Sequence, residues 1–268
     1  MIRKIIYIVL SFLTLYGCGD NDDSTKSGAD KKSAYEELQK KDYAIQVPDQ
    51  THNTTHITIG YDGALKKDVY RFKIHVMQDD DPSTDKTDRQ RCEIYYGANP
   101  PKNRAFFGDT MTSSWKFRLP YDIKTTWDFC HVHQLISNKG NMPLLTFTPR
   151  TTYGKEVFEV KYHDRFSDTV INWASKDLSL FKGKWVTVNE TCKFGYDGSY
   201  KLIIKDYNTG ETLIDIEKNN VDMWRDVATS ILPKWGSYRS IGTDGSLRNK
   251  LKDEIVCFAD ISVAISKY

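Results

Sequence analysis

Gly183-Lys-Trp-Val-Thr-Val-Asn-Glu-Thr-Cys-Lys193, a turn at Tyr196-Asp-Gly-Ser199, Tyr200-Lys-Leu-Ile-Ile-Lys-Asp-Tyr207, a second turn at Asn208-Thr-Gly210 and Thr212-Leu-Ile-Asp-Ile-Glu217 form the stretch that decides the fold. Each run alternates apolar and polar residues, so one face is buried and the other is wet. Each junction carries Gly within two residues of Asp or Asn, the chemistry of a tight reversal. Three such runs in succession are an antiparallel meander. The same pattern extends outward in both directions. Thr58–Tyr61, Val69–Val76, Arg91–Tyr96, Ser114–Leu119, His131–Ser137, Leu144–Pro149 and Glu156–Tyr162 read as strands before it, and Ile255–Ile265 as a long strand after it. No run keeps a helical period over three turns, and no motif recurs at a fixed spacing, which excludes propellers and solenoids. With 16 Tyr, 12 Phe and 6 Trp in 268 residues, the composition also favours strands. The body is therefore expected to be all-β, as one two-sheet antiparallel sandwich.

The first residues stand apart. Arg3 and Lys4 precede Ile5–Leu15, a short apolar run, and Tyr16-Gly17-Cys18 closes it. A basic start, an apolar segment and a small residue at the break define a secretory signal, here residues 1–17. The run is too short for a spanning helix. Leu15-Tyr-Gly-Cys18 resembles a bacterial lipobox, in which the Cys becomes the lipidated mature N-terminus, and Gly19-Asp-Asn-Asp-Asp-Ser24 resembles the surface-export tag of Bacteroidetes lipoproteins. Residues 18–42 are accordingly expected to be a lipidated, flexible tether with one short helix near Ser33–Lys41, and 43–268 to be the folded domain. The localisation implied is the outer membrane of a Gram-negative bacterium, facing the cell surface, with membrane contact through the lipid alone.

The formal charge is +2, from 38 Lys+Arg and 36 Asp+Glu. Removing Arg3 and Lys4 with the signal leaves 36 of each. That balance excludes a nucleic-acid binder relying on phosphate neutralisation, and any polyanion must be drawn by a local concentration of cations. Cys18 aside, Cys92, Cys130, Cys192 and Cys257 lack metal-ligand spacing. An even number in an exported chain permits disulfides, and buried free thiols are the equal alternative.

Three short motifs carry chemistry. In Arg89-Gln-Arg-Cys-Glu-Ile-Tyr95 strand alternation puts Arg89, Arg91, Glu93 and Tyr95 on one face. In Phe129-Cys-His-Val-His-Gln-Leu135 it puts His131 and His133 together; this pair has no third ligand at a recognisable spacing, so no metal is assigned. In Lys234-Trp-Gly-Ser-Tyr-Arg239 it puts Lys234, Gly236 and Tyr238 on one face, the glycine leaving room for a ligand or another backbone. Each motif alone is compatible with an ordinary half-exposed strand.

In this order the motifs resemble those of the jelly-roll (concanavalin-A-like) polysaccharide lyases. Alginate lyases of that fold carry Arg-[Ser/Thr]-Glu-[Leu/Val]-Arg, Gln-Ile-His and Lys-Ala-Gly-x-Tyr, against Arg91-Cys-Glu-Ile-Tyr95, His131-Val-His133 and Lys234-Trp-Gly-Ser-Tyr238 here. His131 in place of the amide and Tyr95 in place of the second Arg change the contacts to a substrate carboxylate and turn the expectation away from alginate. The Lys234-x-Gly-x-Tyr-Arg239 form with His131-x-His-Gln134 upstream resembles the relatives acting on ulvan, glucuronan and heparin, so ulvan-like substrates are expected first, with glucuronan and glycosaminoglycans next. The resemblance implies a β-elimination. The enzyme removes the C5 proton of a uronate and expels the O4-linked sugar, leaving a C4=C5 unsaturated end. Arg91 would neutralise the carboxylate. Tyr238 would act as acid, base or both, with Lys234 as the cation that lowers its pKa, and His133 would be the alternative base. His131, Arg89, Glu93, Tyr95, Gln134 and Arg239 would bind substrate.

No cofactor is required for such chemistry. Asp79-Asp-Asp81 and Asp260 are candidate ligands for a structural calcium, with a solvated acidic turn as the plainer reading. No Gly-x-Ser-x-Gly elbow, phosphate loop or His-Glu-x-x-His occurs. The paired carboxylates of a glycosidase are missing too, since Asp215 and Glu217 fall in the meander. The expected partner is an anionic polysaccharide and the expected state a monomer. The competing reading is a non-catalytic, glycan-binding jelly roll.

Overall fold

The computed structural model describes residues 29–82, 86–97, 104–140, 142–165 and 169–268. The signal segment and Cys18 lie outside these. The chain begins with α1 (Ala29–Lys40), β1 (Tyr43–Gln46), the short α2 (Asp49–His52), β2 (Ile57–Asp62), β3 (Lys67–Ile74), β4 (Arg89–Tyr96) and β5 (Thr110–Arg118). Then come β6 (Cys130–Ser137), β7 (Pro143–Thr152), β8 (Lys155–His163), β9 (Val170–Asp177), β10 (Trp185–Lys193), β11 (Gly198–Asp206), β12 (Thr212–Val221), β13 (Ile231–Ser240) and β14 (Glu254–Ser266). Among the described residues no helix is long and apolar enough to cross a membrane.

The strands form two antiparallel sheets of seven. The front sheet runs β1-β4-β13-β6-β7-β8-β9, and the back sheet β12-β11-β10-β5-β14-β3-β2. This is the expected jelly-roll sandwich. The meander read from Trp185 to Glu217 is β10-β11-β12, at one edge of the back sheet. The pairing of β10 with β11 runs without a break from Val186↔Asp206 to Lys193↔Ser199. The three motif strands lie side by side at the middle of the front sheet, β13 between β4 and β6. Residues far apart in sequence are thereby set about 5 Å from one another across the ladder.

Inward-facing side chains of both sheets close the core. Trp115, Phe117 and Phe258 of the back sheet meet Phe147, Phe158 and Trp235 of the front, all at most 1 % exposed. Phe117 stacks on Phe158 at 5.7 Å, and Trp115 meets Trp235 edge-on at the same separation. Each contributes roughly 2–3 kcal/mol by burial. Cys92, Cys130, Cys192 and Cys257 are all buried free thiols, which settles the cysteine alternatives in favour of apolar packing.

The expected tether boundary at residue 42 moves. Ala34 and Leu38, one helical turn apart on α1, are fully buried in the core, and Tyr35 on the same helix donates to Asp49 at 2.6 Å. Residues from Ala34 onward therefore pack with the folded body. The helix docks because its apolar residues recur at i and i+4, a pattern too brief to outweigh the surrounding charges when read in sequence.

Candidate active site

Outward-facing residues of β4, β13, β6, β7 and β8 line the exposed side of the front sheet. On β4 and β13 the alternation is regular, with Lys234 opposite Tyr95, Gly236 opposite Glu93 and Tyr238 opposite Arg91. Arg91 lies 3.8 Å from the centre of the Tyr238 ring, face-on. Asp81 accepts from Nε and Nη2 of Arg91, the latter at 2.9 Å, and Glu93 accepts from Nη1 at 2.8 Å. Burial opposes the charged guanidinium, yet Glu93 and Asp81 outweigh it and hold Arg91 above its ordinary pKa. Two of its five N–H groups remain for a substrate. Glu93, itself fully buried, also accepts from Gln134 at 2.5 Å.

Arg89 donates to the Tyr238 hydroxyl at 2.7 Å and is held bidentately by Asp88. Burial pushes the Tyr238 phenol above its ordinary pKa, and the neighbouring Arg91 and Arg89 only offset this in part. Tyr238 thus stays protonated at neutral pH, contrary to the expectation of a lowered pKa. Lys234 is not the cation at this tyrosine. It donates to Gln46 at 2.6 Å, lies 3.6 Å from Glu93 and sits over the Tyr95 ring. Four residues of strand separate it from Tyr238, about 13 Å. Burial lowers the Lys234 pKa. Together with Gln46, Tyr95, Arg104 and Leu232 it lines an open depression of about 290 Å³ at one end of the groove.

The histidines part company. The ladder between β13 and β6 pairs Trp235 with His133 and then Tyr238 with His131, so Gly236 and Ser237 stand opposite Val132 alone. This bulge shifts the alternation of β6 by one. His131 stays outside beside Tyr238, ring centres 6.0 Å apart, stacked on Phe129. His133 turns inward. It is fully buried, packs on Trp115, Phe147 and Trp235, and meets Glu190 of the back sheet at 3.2 Å. The expectation that His131 and His133 share a face is wrong, and His133 cannot touch a polysaccharide. Gly236 explains the bulge. Its φ is +148°, and a Cβ there would lie 2.1 Å from the Cys92 carbonyl oxygen. The room it makes is filled by the neighbouring backbone rather than a ligand.

Arg239 must also be withdrawn as a substrate contact. It is 1 % exposed, pairs with Glu254 at 3.0 Å and donates to Gln90 at 2.9 Å inside the sandwich. The calcium ligands disperse as well. Asp80 pairs with Arg248, Asp81 with Arg91, Asp260 with Lys67 and Lys116, and Asp79 turns towards histidines.

His131 carries the strongest perturbation of the groove. Burial, then the positive surroundings of His163, Lys161, Arg91 and Arg150, drives its pKa down to about 3. Its Nδ1 meets the Thr148 hydroxyl at 2.8 Å, and that hydroxyl donates onward to Thr146 at 3.4 Å. In the tautomer whose Nδ1–H donates to Thr148, which leaves that hydroxyl free to donate to Thr146, Nε2 keeps a lone pair. Sequence reading missed Thr148, Arg150, Lys161 and His163. They sit on β7 and β8, strands recognised as such but bearing no pattern that sets them apart. His52, His56, His75 and Asp79, of metal-ligand composition, gather away from the groove.

No protein-family model matches this chain, and no curated protein matches it by sequence. Solved structures do match its fold. A family 7 alginate lyase A1-II' in complex with substrate superposes with a TM-score of 0.61 at 13% identity, over 91% of this chain and 99% of that one. Alginate lyase AlgAT5 of polysaccharide lyase family 7 gives 0.57 at 14% identity, over 86% and 96%. The alginate lyase from Klebsiella pneumoniae gives 0.56 at 12%, over 84% and 96%. The fold is that of the jelly-roll polysaccharide lyases.

Proposed function

We propose that this protein is a polysaccharide lyase that cleaves a uronate-containing anionic polysaccharide by β-elimination, giving C4=C5 unsaturated uronate ends. The observation that carries the reading is the pairing of His131 and Tyr238 on the open face of the front sheet, their pKa values pushed in opposite directions. Such a split assigns the base and the acid. Neutral His131 takes the C5 proton at Nε2. Protonated Tyr238 gives its proton to the departing O4, with Arg89 stabilising the phenolate left behind. The remaining donors of Arg91, with Lys161 and Arg150 nearby, receive the charge that develops on the uronate carboxylate. A pKa near 3 makes His131 a weak base in the free enzyme, and the negative charge a bound uronate brings among these cations raises it towards working pH.

Ulvan-like chains are the favoured substrate, with glucuronan and glycosaminoglycans next. Tyr95 and His131, in place of an Arg and an amide, support that preference. The likeness to alginate lyases makes alginate the necessary comparison. The decisive experiment incubates the purified chain with ulvan, glucuronan, heparin, chondroitin and alginate and follows the ultraviolet absorbance of unsaturated uronate ends. Binding with no absorbance on any of them would establish a glycan-binding module instead. Lipidation at Cys18 and display at an outer membrane complete the proposal. They rest on the N-terminal sequence, and loss of labelled palmitate incorporation in Cys18→Ala tests them.

A further inference from the structure

His52, His56, His75 and Asp79 come together where α2, the start of β2, the end of β3 and the loop beyond it meet. One ligand atom from each lies within 4.8 Å of all the others. Asp79 Oδ1 is 3.0 Å from both His52 Nδ1 and His56 Nε2, and Asp79 Oδ2 is 3.3 Å from His75 Nδ1. A tetrahedral site with bonds of about 2.0–2.1 Å has ligand-to-ligand edges of about 3.3 Å. The separations from the Asp79 carboxylate, over its two oxygens, are 3.0–3.3 Å, and the whole set lies within 4.8 Å, close enough to contract onto one ion. We infer that these four residues bind a zinc-class divalent cation in a closed, structural site.

The surroundings are those of a built site. His56 presents Nε2 to the cluster while its Nδ1 meets Asp49 at 2.5 Å, and Asp49 in turn accepts from the Tyr35 hydroxyl at 2.6 Å. A carboxylate behind a ligating imidazole fixes its tautomer and orientation. Asp79 is held by the backbone N–H of His75 at 2.6 Å. The Gln90 side-chain amide donates to the carbonyls of His75, Val76 and Asp79 at 2.8–3.1 Å, shaping the turn that carries two of the ligands. The three imidazoles pack at centre separations of 4.4, 5.2 and 5.7 Å around a single carboxylate. Three nitrogen donors exclude hard cations such as calcium and magnesium and select zinc or its neighbours. Four protein ligands, three of them buried, complete the coordination without an open position, so the metal's role is to cross-link. It would tie α2 to the sheets and fix the loop whose Asp81, two residues on, seats Arg91.

The test needs no lyase activity. The full chain is loaded with zinc, freed of excess and assayed for metal content and thermal stability. One zinc per chain, a lower Tm after chelation, and the visible absorption of tetrahedral cobalt on substitution are expected. Competition with a chromophoric chelator should show Asp49→Asn weakening zinc about 10–100-fold. His52→Ala, which removes the most exposed ligand, should weaken it further. A folded chain holding only sub-stoichiometric zinc, with a Tm indifferent to chelator, overturns the inference. So does zinc affinity unchanged in His52→Ala, because the metal then lies elsewhere.

Discussion

Replacing each histidine of β6 by alanine distinguishes a groove base from a core residue. His133 is fully buried against three aromatic rings and paired with Glu190, which also accepts from Ser113 at 3.0 Å and Tyr200 at 2.8 Å. Truncating a large, fully buried ring side chain to alanine costs about 3–5 kcal/mol. Because Glu190 keeps two hydroxyl donors, the lower end applies, about 3 kcal/mol for His133→Ala. At roughly 2–4 °C per kcal/mol for a domain of this size, the melting temperature should fall by about 6–12 °C. A loss of that size leaves a typical domain folded at 25 °C, so turnover per folded molecule should be nearly normal. His131→Ala removes a groove residue whose hydrogen bond is to one hydroxyl and whose ring stacks on Phe129 at the surface of the sheet, and its Tm should move by only a few degrees. Turnover should drop about 10²–10⁴-fold, the worth of a positioned general base. Scanning calorimetry and the absorbance of unsaturated ends provide the two readouts. An active His131→Ala, or an inactive His133→Ala of unchanged Tm, would refute the bulge-based assignment.

Tyr238→Phe should cut turnover by a similar 10²–10⁴ factor while leaving substrate affinity largely intact, measured by titration with an oligosaccharide; turnover near normal would remove Tyr238 from the chemistry. Acid stability should report His163, whose pKa is driven down to about 4 by burial and the charges of Arg225 and Lys161. Between pH 6.5 and 4 the unfolded chain binds a proton at this site that the folded chain does not, so stability falls with falling pH by up to about 1.4 kcal/mol per unit. His163→Gln should flatten the Tm–pH curve in that window, and an unchanged slope would contradict the assignment. Gly236→Ala places a methyl against the Cys92 carbonyl at a positive φ and should cost about 2–4 kcal/mol, seen as a lowered denaturation midpoint; an unaffected midpoint would show that the bulge tolerates a side chain.

The fold was legible because Trp185–Lys193, Tyr200–Tyr207 and Thr212–Glu217 obey one periodicity without interruption, and an unbroken ladder translates periodicity directly into faces. The same rule places Arg89, Arg91, Glu93 and Tyr95 correctly, since β4 and β13 pair in strict register. It fails on β6. The extra residue lies on the partner strand, at Gly236-Ser237, and nothing in Phe129–Leu135 announces that its alternation will slip. The glycine was visible and its need for close approach was foreseen, but the approaching group is the β4 backbone. The metal-type cluster was illegible for another reason. His52 and His56, like His75 and Asp79, stand four residues apart, but neither pair lies within one helix. His52 closes the four-residue α2 and the other three lie outside the helices, so the interval marks no shared helical face, and it is the β2–β3 hairpin that brings the two pairs together. The edge strands β1 and β9 were missed because they are brief or half-exposed, so neither length nor alternation marks them.

A balanced overall charge led to the expectation of a locally cationic groove, and the structure sharpens what local means. Arg89 is held by Asp88, Arg91 by Asp81 and Glu93, Lys234 lies beside the same Glu93, and Lys161 and Arg150 share Glu159. These five cations face four carboxylates, a surplus of one positive charge, so the groove is a lattice of pairs rather than a bare basic strip. Such an arrangement keeps long side chains in fixed positions before substrate arrives, which lowers the ordering cost of binding. For the uronate chain proposed above, unspecific attraction then contributes little, and reaching the few N–H groups that remain unspent contributes much. Discrimination then falls on where a carboxylate sits relative to Arg91 and His131. That position is set by the bulge at Gly236, the feature that directs one histidine to the groove and buries the other.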